Sequence, residues 1–201
     1  MCIRDRFSSR RLGQKKERES SVAFHNGLIM ATVFALPVTF FGWSLSEKIV
    51  PFFLKDPKTT SLAIDYTSIA FISLVFSVYS FVFVGFYTGI EKTKIQMIVT
   101  ILSNLINLYL NAALIYGSEG IDLFFKESIP SLSFLKVMWN WTHFPAMGVK
   151  GAALATLIAS AWMAVHYALY LFSGDLIKRF KVLSFSFDKK MLWGQLRLAL
   201  P

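Results

Sequence analysis

Three carboxamides recur in an otherwise apolar run: Asn104, Asn107 and Asn111, at i, i+3 and i+7, with Thr100 one turn earlier. That spacing puts all four side chains on one face of a helix. A carboxamide offers an acceptor oxygen and two donor hydrogens, so such a face can ligate a cation, hold a polar substrate, or bond a neighbouring helix. The last use is worth under about 1–2 kcal/mol per contact in a bilayer. Both readings, interhelical adhesion and a polar wall, fit the periodicity. A second constellation lies in Gly148-Val-Lys-Gly-Ala-Ala-Leu-Ala-Thr156. Gly151, Ala155 and Ala159 follow at intervals of four, and small residues so spaced let two helix backbones approach closely. Thr156 can bond its own helix or point at a ligand. A third is His25 with Asn26, where an imidazole near a helix end can relay protons or simply sit at the interface.

Enzymatic chemistry finds no such support. The sequence contains no G-x-S-x-G, H-E-x-x-H or Walker loop. His143 and His166 lack metal-ligand spacing, and no apolar run carries a carboxylate pair for acid–base work. Asp65 and Glu91 stand at the ends of such runs, where solvated charges are ordinary. A single cysteine, Cys2, excludes an internal disulfide. The expectation is a protein that is not an enzyme and holds no metal or organic cofactor.

The elements that position these side chains follow from composition. Hydrophobic residues make up 55% of the 201 and charged residues 16%, below the quarter or so typical of soluble domains. Four stretches lack Asp, Glu, Lys and Arg altogether: about 20–46, 66–90, 95–118 and 151–174. About 20 apolar residues span the hydrocarbon core as a helix, whereas barrel strands are shorter and alternate. The fold class is therefore all-α, a polytopic membrane protein with four transmembrane helices. Pro37 falls in mid-span and is expected to kink the first helix. Pro51 and Pro57 are expected to bracket a short connection containing Val50–Leu54. Glu119–Lys150, with Phe124, Phe125, Trp139 and Trp141, suits an interfacial helix.

Charge sets the expected orientation. Thirteen Lys and Arg against five acids flank the even number of spans on one side, six against six on the other. The positive-inside rule puts both ends in the cytoplasm, and the net charge of +9 is then a topology signal rather than a nucleic-acid footprint. Residues 1–6 back-translate to a string like a library-preparation transposon end and read as an assembly scar. Residues 175–201, basic and amphipathic, read as a cytoplasmic linker running into the start of a further helix at Pro201. The chain is thus expected to be truncated at both ends.

Phe86-Tyr-Thr-Gly-Ile-Glu-Lys-Thr-Lys94, then Asn104-Leu-Ile-Asn-Leu-Tyr-Leu-Asn111, then Phe144-Pro-Ala-Met-Gly-Val-Lys-Gly-Ala-Ala-Leu-Ala-Thr156 follow in order. This succession resembles the multidrug and toxic compound extrusion (MATE) transporters. The resemblance implies twelve helices in two six-helix lobes. Residues 7–174 would then be helices three to six of the N-terminal lobe, and residues 175–201 the interlobe linker. It also implies a coupling-cation or proton site involving Asn107, Asn111 and Thr156, with Asn111 where some members carry Asp. The implied activity is export of bulky, cationic or amphipathic compounds in exchange for sodium or protons, at the cell (inner) membrane. The implied partners are the bilayer, a small-molecule substrate and the rest of the chain, without nucleic acid. A lipid or polysaccharide flippase of the same superfamily, or a non-transporting membrane subunit, stands as the alternative.

Overall fold

The computed structural model describes residues 17–127, 134, 137–139, 143–172, 175–180 and 187–199. The suspected scar at 1–6, Trp141, Gly174 and Pro201 lie outside the described residues. Six helices are described: α1 (Glu17–Phe53), α2 (Pro57–Gly89), α3 (Thr93–Glu127), α4 (Val149–Phe172), α5 (Asp175–Phe180) and α6 (Lys189–Ala199). The first four are long and apolar enough to cross a membrane, and no strand occurs among the described residues.

All four begin ahead of their charge-free windows. In α2 the cause is a cap. Asp56 accepts hydrogen bonds from the Thr59 backbone N–H at 2.8 Å and the Thr59 hydroxyl at 2.6 Å. Pro57 occupies the first helical position, where its missing N–H costs nothing. The helix therefore begins nine residues before Tyr66, and Lys58 and Asp65 lie within it. α1 runs through Pro37 without interruption and carries Pro51 in its last turn. The expected connection at Val50–Leu54 is corrected accordingly: Val50–Phe53 are helical, and only Leu54–Asp56 link α1 to α2. α3 continues beyond Ser118 to Glu127, across a non-helical residue, Gly117 (φ 68°, ψ 173°). That backbone region is nearly exclusive to glycine. Part of the expected surface helix is thus the continuation of α3, carrying Phe124 exposed and Phe125 buried.

The chain divides into two compact units. The first comprises Met1–Val38, Leu74–Leu102 and Ser160–Pro201. Its core is aromatic. Phe24 packs on Phe86 at 4.7 Å between ring centroids, and Tyr87 on Tyr167 at 5.7 Å. Several aromatics of α2 therefore face neighbouring helices, while Phe81 is exposed. Tyr87 donates to the Tyr167 carbonyl at 2.7 Å, and the Tyr167 hydroxyl lies 3.1 Å from Thr100 and donates to the Gln96 carbonyl at 3.3 Å. Those bonds tie α2, α3 and α4 together. The start of α1 is bonded to the α6 segment: Asn26 donates to the Asp188 carbonyl at 3.0 Å and Gln195 to the Ala23 carbonyl at 3.3 Å.

The second unit comprises Thr39–Ser73 and Ser103–Ala159. Here α1 meets α2 through small side chains. Thr39 donates to the Phe71 carbonyl at 3.0 Å, Ser46 and Ser68 share a hydrogen bond of 2.8 Å, and Gly42 lies against the Phe71 ring. α3 meets α4 in the same unit, and that seam positions the asparagine row.

Candidate functional site: the asparagine row beside the α3–α4 seam

Two contacts fix the register of the antiparallel α3–α4 pair. Ser103 donates to the Ala159 carbonyl at 3.0 Å, and Gly151 lies against the backbone carbonyl of Leu114. Gly151 and Ala155 are buried, Ala155 completely, as the small-residue spacing predicts for a close approach. Residues between those contacts pair off in opposite directions, which brings Asn107 to the level of Thr156. The segment leading into α4 is bonded back onto the end of α3. Met147 N–H donates to the Leu114 carbonyl at 2.8 Å, Gly148 N–H to Ile115 at 3.2 Å, and Ser118 N–H to Phe144 at 3.1 Å. Carbonyls left open by the break at Gly117 thereby find partners. Gly148, with φ +57°, makes the turn that starts α4.

On α3, Ser103 and Leu114 mark the side that touches α4, and the asparagines flank it. Asn107 and Asn111 are half-buried and Asn104 is exposed. Asn111 Nδ2 donates to Asn107 Oδ1 at 2.9 Å. The pair is therefore joined along its own helix, and the interhelical bond at this seam comes from Ser103 instead. With that bond made, Asn111 Oδ1 remains an acceptor or ligand and Asn107 Nδ2 a donor. Thr156 is exposed and donates to the Ala152 carbonyl of its own helix at 3.1 Å, leaving its oxygen lone pairs as the reactive feature. Thr100 belongs to the first unit, where its hydroxyl bonds Tyr167.

Carboxamides and a hydroxyl do not titrate, so this row can bind and orient but cannot carry a proton. The other sequence candidates fall elsewhere. His25 is buried beside Phe24, with ring centroids 5.9 Å apart, and Asn26 is fully buried. His166 stacks on Trp162 at 3.7 Å, and His143 is exposed. Among the described residues no group of three or more His, Cys, Asp or Glu converges as a metal site would require.

Sequence reasoning overlooked Ser103, Tyr87 and Tyr167, whose roles depend on which carbonyl lies opposite. The Thr39, Gly42, Ser46 series did carry a signal, small side chains three and four residues apart in mid-span.

No solved structure matches the chain. The MatE family model matches residues 5–113, more than half of the 201, covering α1, α2 and the asparagine row and stopping short of Thr156. A family match of that extent agrees with the all-α fold of four spanning helices, and the chain belongs to the MatE family of membrane transporters.

Proposed function

We propose that the protein is a secondary antiporter that exports bulky, cationic or amphipathic compounds, driven by an inward gradient of sodium or protons. Membership of the MatE family supports transport, and one observation carries the finer reading. A row of three neutral carboxamides lies beside a close-packed helix seam, with Thr156 at the level of Asn107. Polar groups in a membrane span are costly, and side chains that serve only to join helices would bond across the seam. Asn107 and Asn111 bond to each other instead. Asn111 Oδ1 and the Thr156 hydroxyl oxygen suit a hard monovalent cation, and Asn104 and Asn107 line the same face for a polar group of the substrate.

Coupling requires the ion to prefer one of two access states, since equal affinity for both would shift nothing. The positive-inside excess supports a cytoplasmic side for both ends of these four spans, and export from the cell supports the cell membrane as the site. Pro37 and the Gly151–Ala155 contact are the places where α1 bends and α4 slides in that cycle.

The test is dye export by the full-length protein in everted vesicles under an imposed sodium gradient, the cation this non-titrating row can bind. Asn107→Ala with Asn111→Ala is expected to slow ion-driven export about tenfold or more, equivalent to about 1.4 kcal/mol or greater in the transport barrier. Export at the parent rate would refute the assignment of these residues.

A further inference from the structure

The face of α3 turned away from α4 contains a gap. Leu108 and Tyr116 are 69% and 62% exposed, and Ala112 stands between them, one turn from each. Beyond the break at Gly117 the helix returns over this gap with Ile121, Phe124 and Phe125, and Trp139 closes the side. The result is a cavity of about 400 Å³, formed within the second unit.

Its walls are fixed and almost wholly carbon. Trp139 stacks on Tyr109 at 5.2 Å and 15°, and its ring N–H donates to the Tyr109 carbonyl at 3.2 Å. The Tyr109 hydroxyl donates in turn to the Met138 carbonyl at 2.7 Å. The indole donor is thus already used, and of the lining side chains only the Tyr116 hydroxyl is left to offer polarity. A hydrogen-bonding ligand would lose its hydration here without replacement. An apolar chain would lose nothing.

Depth identifies which apolar chain. Charges resume at Glu119 and Asp122, immediately beyond Gly117, so the break lies near the headgroup level on that side. Leu108 is nine residues earlier, and at 1.5 Å per residue the cavity floor reaches about 14 Å into the hydrocarbon, close to half of the roughly 30 Å core. That is the depth of one leaflet. Leu105, one turn deeper on α3, is exposed at 56%, so the apolar surface of the helix continues past Leu108.

We infer that this cavity holds one acyl chain of a phospholipid from the adjoining leaflet, as a resident lipid site. The inference rests on the placement of α3 in the bilayer and is independent of the antiport reading.

Native mass spectrometry of the full-length protein, purified in mild detergent from membranes, tests it. The parent is expected to retain one phospholipid per chain through stripping that removes all others. Ala112→Phe fills the gap from its floor and should reduce retention about tenfold or more. Met97→Phe, the same ring at an exposed position of the same helix three turns from the lining, should leave it unchanged. Leu108→Ala removes contact surface without inserting bulk, and should weaken retention about tenfold even if Ala112→Phe proves unable to fold. A parent that retains no lipid would overturn the inference. So would a retained species that is not a phospholipid, or equal retention in Leu108→Ala and the parent.

Discussion

Replacing Gly151 by alanine tests whether α3 and α4 are held at backbone contact. A Cβ built at Gly151 falls on the carbonyl carbon and oxygen of Leu114. A carbonyl inside a helix cannot rotate aside as a side chain can. α4 would have to retreat by roughly 1 Å to restore ordinary contact in a densely packed seam. That retreat stretches the Met147–Leu114 bond from 2.8 Å and the Ser103–Ala159 bond from 3.0 Å. Both would then exceed the roughly 3.5 Å at which such bonds cease to count. Interhelical bonds in a bilayer average about 0.6 kcal/mol, and overpacking costs about 1–3 kcal/mol. Against this, alanine gains about 1 kcal/mol in helix propensity over glycine. The net expectation is a loss of about 1–3 kcal/mol, a factor of roughly 5–150 in the folding equilibrium. Gly42→Ala is the internal comparison. Its Cβ would meet the ring of Phe71, a side chain that can shift where a helix carbonyl cannot, so the cost should be smaller than at Gly151. Equilibrium unfolding in mixed dodecyl maltoside and dodecyl sulfate micelles, followed by far-UV circular dichroism, reads both variants. If Gly151→Ala costs no more than Gly42→Ala, the backbone-contact argument is wrong.

Gly117→Ala should be costlier than either. Its φ of +68° disfavours any side chain by about 1–3 kcal/mol, and its Cβ would lie 2.8 Å from the Ala146 backbone nitrogen; the same unfolding assay applies. Tyr87→Phe removes the 2.7 Å bond to the Tyr167 carbonyl and should cost about 0.6–1.7 kcal/mol, while Phe81→Tyr, at an exposed position, should be nearly silent. Asp56 is held below the usual carboxylate range first by the Thr59 hydroxyl and then by the Thr59 backbone N–H. Its contribution to the start of α2 is complete above that range and is lost as pH falls through the lowered pKa. The protection factors of the Thr59 and Thr60 amides, measured against their intrinsic exchange rates, should therefore fall on acidification, and Asp56→Ala should abolish that pH dependence.

Why some of this could be read from the sequence and some could not depends on the range of the forces involved. A charge-free run of 24 residues or more reports one strong, local penalty, that of an ion in hydrocarbon, and it identified all four spanning helices. Helix ends obey different rules. Lys58 and Asp65 lie inside α2 because Asp56 and Pro57 nucleate the helix ahead of them, and flanking charges can reach water from a helix end. Absence of charge therefore underestimates helix length wherever a cap stands outside the window. The continuation of α3 past Ser118 escaped notice for a related reason, since glycine ordinarily ends a helix, and here Gly117 only redirects one.

The asparagine row shows the same division at the site. Its existence follows from period alone, because i, i+3 and i+7 must share a face. Its bonding does not. Whether Asn107 crosses to α4 or pairs with Asn111 depends on how the neighbouring seam is filled, and Gly151, Ala155 and Ser103 fill it without needing a carboxamide. A helix pair already joined by small side chains and one serine bond leaves its asparagines available for other partners. This makes the seam and the row separable by mutation. Ser103→Ala should lower stability by about 0.6–1.7 kcal/mol and leave export per folded molecule unchanged. Asn111→Ala should do the reverse, removing an exchangeable bond along one helix at little cost in stability while altering the ion dependence of export. A stability loss for Asn111→Ala as large as that for Ser103→Ala would return the row to the role of helix adhesion.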